Sequence, residues 1–146
     1  MKVIFLDVDG VLNCASDFTR IKHENGLCLS QVKIDRLYTI QKATGASIVL
    51  SSTWRLHQDA MEYLKLRKVE FLDTTPFLMR QRGHEIESWL KKHPEATDYI
   101  ILDDDVDMLD CQMPFFIKTK FLGKHCGLQD EHVAKAIAIL NNTKEN

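Results

Sequence analysis

Long apolar runs and a strong net charge are both missing from this 146-residue sequence. No apolar run approaches the roughly 20 residues that a membrane-spanning helix needs, so we expect no membrane segment. No N-terminal signal pattern precedes the first apolar stretch, which argues against export. The formal net charge of -2 excludes a global attraction to nucleic acids, so such binding would depend on a local basic surface.

Short paired cysteine spacings are absent from the sequence. The four cysteines show neither the short paired spacing of a zinc site nor the pattern of a disulfide framework. They are Cys14, Cys28, Cys111 and Cys126. We expect all of them to be reduced thiols in a cytoplasmic protein.

The sequence does contain short apolar runs that alternate with segments of helical periodicity. This order predicts one α/β domain over residues 1–146, with a doubly wound parallel sheet. The predicted strands are residues 3–6, 46–50, 69–72, 99–102 and 115–118. The predicted helices are residues 30–44, a helix that starts after Ser51 and Ser52, includes Arg55 and continues to residue 67, and residues 83–93 and 130–140. The polar residues 14–29 are interpreted as a small hairpin flap with a tight turn at Asn25-Gly26.

Two carboxylates follow the first predicted strand. Asp7 and Asp9 lie two residues apart, and Gly10 allows a sharp turn and a close approach to a ligand. The carboxyl edge of a parallel sheet is where ligands bind. Such close carboxylates repel each other unless a cation relieves them, and Mg²⁺ suits a small set of oxygen ligands. The alternative is an ordinary Asp-Gly turn.

Hydroxyl side chains follow the second predicted strand. Ser51 and Ser52 precede a predicted helix, where hydroxyls and unpaired backbone N–H groups suit a phosphate oxyanion. Simple helix capping by serine is the alternative. Arg55, one turn further on, could contact substrate or be a surface cation.

A cation and an acidic cluster complete the pattern. Arg82 lies at a predicted helix start, where a positive charge is unfavourable for the helix dipole and so needs another reason. A solvated basic face is the alternative. Asp103 and Asp104 follow the fourth strand, where clustered acids need a cationic partner. Asp105 and Asp107 are interpreted as turn or N-cap residues.

Together these segments resemble the four motifs of the haloacid dehalogenase superfamily, in order and over nearly the whole chain. The resemblance implies a sheet order of 3-2-1-4-5 and no large cap domain. It implies that Asp7 attacks phosphorus to form an aspartyl-phosphate, and that Asp9 serves as general acid and then base. Ser51 and Arg82 would hold the phosphoryl group, with Arg80 and Lys91 as other choices for the cation.

The same resemblance implies a Mg²⁺ site. Asp7, Asp104 and the backbone carbonyl of Asp9 would bind the ion, and Asp103 would contact its waters or the cation. Ser52, Arg55 and Gly10 are the expected substrate contacts.

A narrower resemblance rests on Ser-Ser-Thr-Trp-Arg from Ser51, on Arg-Gly-x-Glu-Ile-x-x-Trp-Leu from Arg82 and on Ile-Leu-Asp-Asp-Asp from Ile101. It is to the small domain of this superfamily in Swiss Army Knife RNA repair proteins. It implies a phosphatase of nucleic-acid or nucleotide phosphates, such as RNA or DNA ends. The alternatives are a phosphatase of phosphoproteins or small metabolites, and a non-catalytic domain that binds phosphorylated ends. No protein partner is inferred.

Overall fold

A computed structural model describes residues 1–23 and 25–142. Within them, the order of strands and helices is as predicted except for one additional helix, α1. The strands are β1 (Lys2–Leu6), β2 (Ser47–Leu50), β3 (Asp73–Thr74), β4 (Asp98–Asp103) and β5 (Phe116–Lys118). The α-helices are α1 (Ala15–Arg20), α2 (Gln31–Thr44), α3 (Gln58–Leu66), α4 (Arg82–Lys92) and α5 (Asp130–Leu140). Short 3-10 helices cover Thr53–Leu56 and Asp110–Phe115.

All strand pairs are parallel, and the sheet order is β3-β2-β1-β4-β5, as the resemblance implied. Leu6 at the end of β1 is in register with Leu50 of β2 and Leu102 of β4. The ends of these three strands therefore lie at the same level, which places the residues after them side by side.

The two faces of the sheet have separate apolar cores because side chains alternate along each strand. Ile4 and Leu6 of β1 pack in the core that α2, α3 and α5 cover. Val3 and Phe5 pack on the opposite face, where α4 contributes Ile86 and Trp89. The described residues contain no cap domain, and none of their helices is long and apolar enough to cross a membrane.

The third strand differs from its predicted position at residues 69–72. Val69 is fully buried, and its amide donates to the carbonyl of Leu64, so the start of this segment closes the end of α3. Its last residue reaches the sheet, because the Leu72 amide donates to the carbonyl of Ile48 in β2. The parallel ladder forms later, at Asp73–Thr74. The helix predicted to start after Ser52 and to continue to residue 67 is interrupted in the structure. Thr53–Leu56 form a 3-10 helix, and α3 begins at Gln58, because His57 has an extended backbone.

The predicted hairpin flap is also corrected. Residues 15–20 form the helix α1 because the side chain of Asp17 accepts a hydrogen bond from the Cys14 amide and caps its first turn. Asn25 and Gly26 both have positive φ, so the tight turn is present there. Residue 24 of the flap lies outside the described residues.

A disulfide joins Cys14 to Cys126, across 112 residues of sequence. The expectation of four reduced thiols is therefore wrong for this pair, whereas Cys28 and Cys111 are free. The sequence did not reveal the pairing because the two cysteines meet only when the loop after β5 folds against the start of α1. Disulfides are typical of oxidising compartments, so this bond gives no support to the expected cytoplasmic location. That location stays a prediction.

Candidate active site

A row of buried polar residues lies along the carboxyl edge of the sheet, with one residue at each strand end. In strand order they are Thr75, Ser51, Asp7, Asp103 and Thr119. The backbone ladder continues through this row: the Asp7 amide donates to the Leu102 carbonyl, and the Ser51 amide donates to the Leu6 carbonyl, both at 3.0 Å. Strand pairing thus fixes the position of each side chain in the row.

The centre of this row is strongly acidic. Asp7, Asp103 and Asp104 each offer a carboxylate oxygen, and these oxygens lie within 4.8 Å of one another. Asp103 is fully buried, and Asp7 is 6% exposed. Carboxylates this close and this buried repel each other, so the cluster requires positive charge.

Arg82 supplies part of that charge from the first residue of α4. Its Nη1 donates to Asp103 Oδ2 at 2.6 Å and lies 3.1 Å from Asp7 Oδ1. Burial lowers the pKa of the guanidinium, but the charges of Asp7 and then Asp103 outweigh burial and raise the pKa above its usual value. The structure therefore brings this cation to the predicted nucleophile, whereas Arg80 and Lys91 lie on the exposed surface.

The pKa values of two carboxyl groups in the cluster are raised, whereas a simple ion pair would lower them. Burial, followed by the charge of Asp103, raises the pKa of Asp7, and Arg82 only partly counters this. Burial also raises the pKa of Asp104. The cluster as it stands is short of positive charge, which is the electrostatic condition that a bound cation would relieve.

The loop after β4 holds Arg82 in place. The Asp107 carboxylate accepts from the Arg82 amide at 3.1 Å, and the Asp107 carbonyl accepts from Gly83 at 3.0 Å. A Cβ on Gly83 would lie 2.6 Å from the amide nitrogen of Leu109, so only glycine allows this loop to approach α4 so closely. Asp107 thus accepts from the first turn of α4 across 25 residues of sequence, although the N-cap residue of that helix is Gln81. The Asp105 amide donates to Asp103.

The position of the Asp104 side chain requires glycine at position 10. It has a φ of +87°, and a Cβ there would lie 2.4 Å from the Asp104 carboxyl carbon. Its amide donates to the side chain and to the carbonyl of Asn13, at 3.1 and 3.0 Å. The N–H of Gly10 is thus used within the loop, and the absence of a Cβ allows Asp104 to approach closely. The expected contact of Gly10 with substrate stays a prediction.

Asp9 lies apart from the carboxylate cluster, on the exposed side of the site. Its Oδ1 accepts from Asn13 Nδ2 at 2.9 Å, and its Oδ2 accepts from Trp54 Nε1 at 3.1 Å. Both carboxylate oxygens are therefore oriented. Sequence reasoning missed Asn13 and Trp54 as the supports of Asp9, although both stand inside motifs that it used.

Ser51 carries a hydroxyl without a hydrogen-bond partner. The residue is fully buried, and its Oγ is one of the unsatisfied polar atoms in the described part of the chain, as is Oγ1 of Thr75 at the end of the neighbouring strand. A buried unsatisfied hydroxyl is unfavourable and rare. Ser51 therefore has a donor to offer to a ligand at the edge of the sheet.

Ser52 and Arg55 have structural partners. Ser52 Oγ accepts from the Trp54 amide at 3.1 Å, which is the capping role weighed as an alternative. The Arg55 guanidinium donates to the carbonyls of Ser51 and Ser52, and it forms a 3.0 Å ion pair with Glu85. Its side chain is 3% exposed, and its guanidinium connects the serine loop, which is Ser51 and Ser52, to α4. The expected contact of Arg55 with substrate stays a prediction.

The donor set fits Mg²⁺. Hard divalent cations take oxygen ligands, and Asp7, Asp103 and Asp104 offer carboxylate oxygens close together with the excess negative charge described above. The side chain of Asp9 is not part of this group, and its predicted contribution through the backbone carbonyl stays a prediction.

The parallel sheet of order 3-2-1-4-5, with this acidic centre at its carboxyl edge, defines a Rossmann-like α/β domain of the HAD type. The model of the family described as the HAD domain in Swiss Army Knife RNA repair proteins matches residues 3–133. The chain belongs to this family. Neither curated proteins nor solved structures give a significant match.

Proposed function

We propose that this protein is a Mg²⁺-dependent phosphomonoesterase that acts through an aspartyl-phosphate on nucleic-acid or nucleotide phosphates. The observation that carries the proposal is the position of Asp7. It lies at the centre of the buried row, within 3.1 Å of a guanidinium nitrogen and beside two further carboxylates.

The first step is in-line attack on phosphorus. An Oδ atom of Asp7 forms a bond to phosphorus while the bond to the leaving oxygen breaks, and Asp9 donates a proton to that oxygen. Ser51 donates its unpartnered hydroxyl hydrogen to a phosphoryl oxygen, and Arg82 offsets the negative charge beside Asp7.

The second step restores the protein. Asp9, now a carboxylate, accepts a proton from water as the water oxygen attacks phosphorus, and the bond between phosphorus and Asp7 breaks to release inorganic phosphate. Trp54 and Asn13 keep Asp9 in one orientation for both proton transfers.

Mg²⁺ would be held by Asp7, Asp104 and the backbone carbonyl of Asp9, with Asp103 nearby. When bound, it neutralises negative charge on the phosphoryl oxygens and on the acidic cluster. The protein supplies the oxygen ligands and a fixed, largely buried site for them.

Two findings support nucleic-acid or nucleotide phosphates as substrates. The family is described from RNA repair proteins. The described residues contain no cap domain, so a phosphorylated chain end can approach the edge of the sheet.

The test is phosphate release from an aryl phosphate, with Mg²⁺ and with EDTA. We expect Asp7→Asn to abolish turnover, because the amide cannot act as the nucleophile, and we expect EDTA to do the same in the unmodified protein. Asp35→Asn, a change in a surface carboxylate of α2, is the matched control and should leave turnover unchanged. Full turnover by a folded Asp7→Asn variant would refute the assignment of the nucleophile.

A panel of phosphorylated oligonucleotides, nucleotides and phosphopeptides then separates the substrate classes. Phosphate release from phosphopeptides alone would refute the nucleic-acid part of the proposal. Binding of phosphorylated ends without turnover of any substrate would favour the non-catalytic alternative.

A further inference from the structure

The loop between β3 and α4 presents consecutive apolar side chains to the surface. Phe77 is 57% exposed, Leu78 is 40% exposed and Met79 is 85% exposed. Single exposed apolar residues are ordinary, but a run of three large ones has no benefit for folding. The run suggests a contact surface.

Buried contacts fix this loop in place. The Leu78 amide donates to Glu85 Oε2 at 2.8 Å, and the Pro76 carbonyl accepts from Arg55 Nη2 at 3.3 Å. Arg55 and Glu85 are themselves a buried ion pair. The exposure of the apolar run is therefore built into the fold.

A groove of about 300 Å³ lies next to this loop, along the exposed face of α4. Leu78 and Arg80 of the preceding loop form part of its wall. The other lining residues recur at helical spacing on α4, so they share one face. These residues are His84, Glu87, Ser88, Lys91 and Lys92. Three permanent cations thus face one carboxylate, and that carboxylate is paired with Lys91 at 3.5 Å. The groove is locally basic although the whole chain has a net charge of -2.

One lining residue of the groove is close in sequence to the candidate active site. Arg80 is two residues, at most about 7 Å of chain, from Arg82, which contacts Asp7. From Arg82 to Lys92 the helix rises about 15 Å, roughly the rise of four stacked nucleotides.

We propose that the α4 groove, together with Phe77, is a binding site for single-stranded nucleic acid. Backbone phosphates would lie against Arg80 and Lys92, and a base would stack on Phe77. The inference rests on the proposed function for its direction, since the phosphorylated end would lie at Asp7. An acidic polypeptide would match the cations but not the aromatic side chain, whereas every base has a face that stacks on an aromatic ring.

The experiment measures binding of a fluorescent eight-nucleotide single strand without a terminal phosphate, by anisotropy, over a range of salt concentrations. Because the strand has no phosphate end, the result is independent of catalysis. We expect Arg80→Ala with Lys92→Ala to weaken binding and to reduce the slope of log K against log salt by about 1.4, since each phosphate that is no longer neutralised reduces it by about 0.7. We expect Phe77→Ala to weaken binding about tenfold.

Two matched controls remove the same kinds of side chain elsewhere. Lys42→Ala with Lys135→Ala removes two exposed cations on α2 and α5, and Leu122→Ala removes another exposed apolar side chain. Both should leave affinity and salt slope unchanged. An equal effect of the control pair and the groove pair would overturn the proposal, as would an unmodified protein that does not bind the strand.

A second ligand separates nucleic acid from polyanions in general. Inorganic polyphosphate of matched charge has no bases, so we expect it to bind more weakly and to be insensitive to Phe77→Ala. Equal affinity for both ligands, with no effect of Phe77→Ala on either, would overturn the assignment to nucleic acid. Aryl phosphate turnover without strand binding would contradict the groove alone, and strand binding without turnover would contradict the proposed function alone.

Discussion

Replacement of Arg82 by methionine would leave two buried carboxylates facing each other without a cation. The Asp103 side chain is fully buried and the Asp7 side chain is 8% exposed, and Arg82 Nη1 contacts both. Methionine keeps much of the side-chain length, so the main change is the removal of charge and hydrogen bonds. We expect a loss of stability that depends on pH.

The size of this stability loss depends on whether the carboxylates stay charged or take up a proton when Arg82 is absent. Removal of one partner from a buried ion pair costs about 3–5 kcal/mol. Uptake of a proton by one carboxyl limits this cost. From the ordinary pKa of 3.8, that uptake costs at most about 5 kcal/mol at pH 7.5, and the cost falls by about 1.4 kcal/mol per pH unit toward acid. We therefore expect a loss of about 3 kcal/mol at pH 7.5 and a clearly smaller loss at pH 5.5.

The direction of the pH dependence follows from the pKa of Asp7. Removal of Arg82 takes away the charge that lowers this pKa, so the folded-state pKa rises further above the unfolded value. A carboxyl with a raised folded-state pKa contributes stability that is present at low pH and is lost as pH rises through that pKa.

Urea unfolding at pH 5.5, 6.5 and 7.5 in EDTA measures the effect. Lys91→Met is the control, because Lys91 pairs with Glu87 at 3.5 Å on the exposed surface of α4 and such surface pairs contribute at most about 1 kcal/mol. Added Mg²⁺ should restore part of the stability of the Arg82 variant by supplying positive charge. An Arg82→Met protein as stable as the unmodified one at every pH would refute the electrostatic account of the site.

Three other side chains give testable outcomes. Ser51→Ala should change the free energy of unfolding by less than about 1 kcal/mol, because the hydroxyl has no partner to lose, yet it should lower kcat for an aryl phosphate about 100-fold; unchanged kcat would contradict its role. Burial lowers the pKa of His132, whose Nδ1 accepts from the Gln129 amide at the start of α5. Urea unfolding should therefore show stability that falls as pH drops below the ordinary pKa of 6.5, and in His132→Gln this loss should disappear. A thiol titration of the unfolded, unreduced protein should find two free thiols, and four free thiols would contradict the disulfide. Reduction of the Cys14–Cys126 bond should lower the free energy of unfolding by about 4–5 kcal/mol, because the bond closes a loop of 112 residues.

The sequence predicted the fold well because its signals are local. Each apolar run that is buried on both faces became a strand, and the resemblance supplied the strand order. The exception is β3, where Val69 is as apolar as a strand residue but packs at the end of α3. Periodicity cannot distinguish these two ways of burying one side chain.

The sequence predicted which residues come together at the site better than it predicted the partners of each residue, for a physical reason. Asp7, Arg82 and Asp103 come together because strand ends and a helix start are placed by the fold. The partners of Arg55 lie up to 30 residues away in sequence, so no local pattern distinguishes a structural arginine from a substrate contact. The Cys14–Cys126 disulfide could not be predicted for the same reason, because the two cysteines are 112 residues apart in sequence.

The ion pair between Arg55 and Glu85 has a consequence for genetic screens. It ties the serine loop after β2 to the loop that precedes α4, so damage at either residue would disturb both sides of the site at once. A selection for loss of the proposed activity would therefore recover substitutions of Glu85 as well as those of the acidic cluster, although Glu85 is not a member of that cluster. Screening the same variants for soluble yield would separate the two groups.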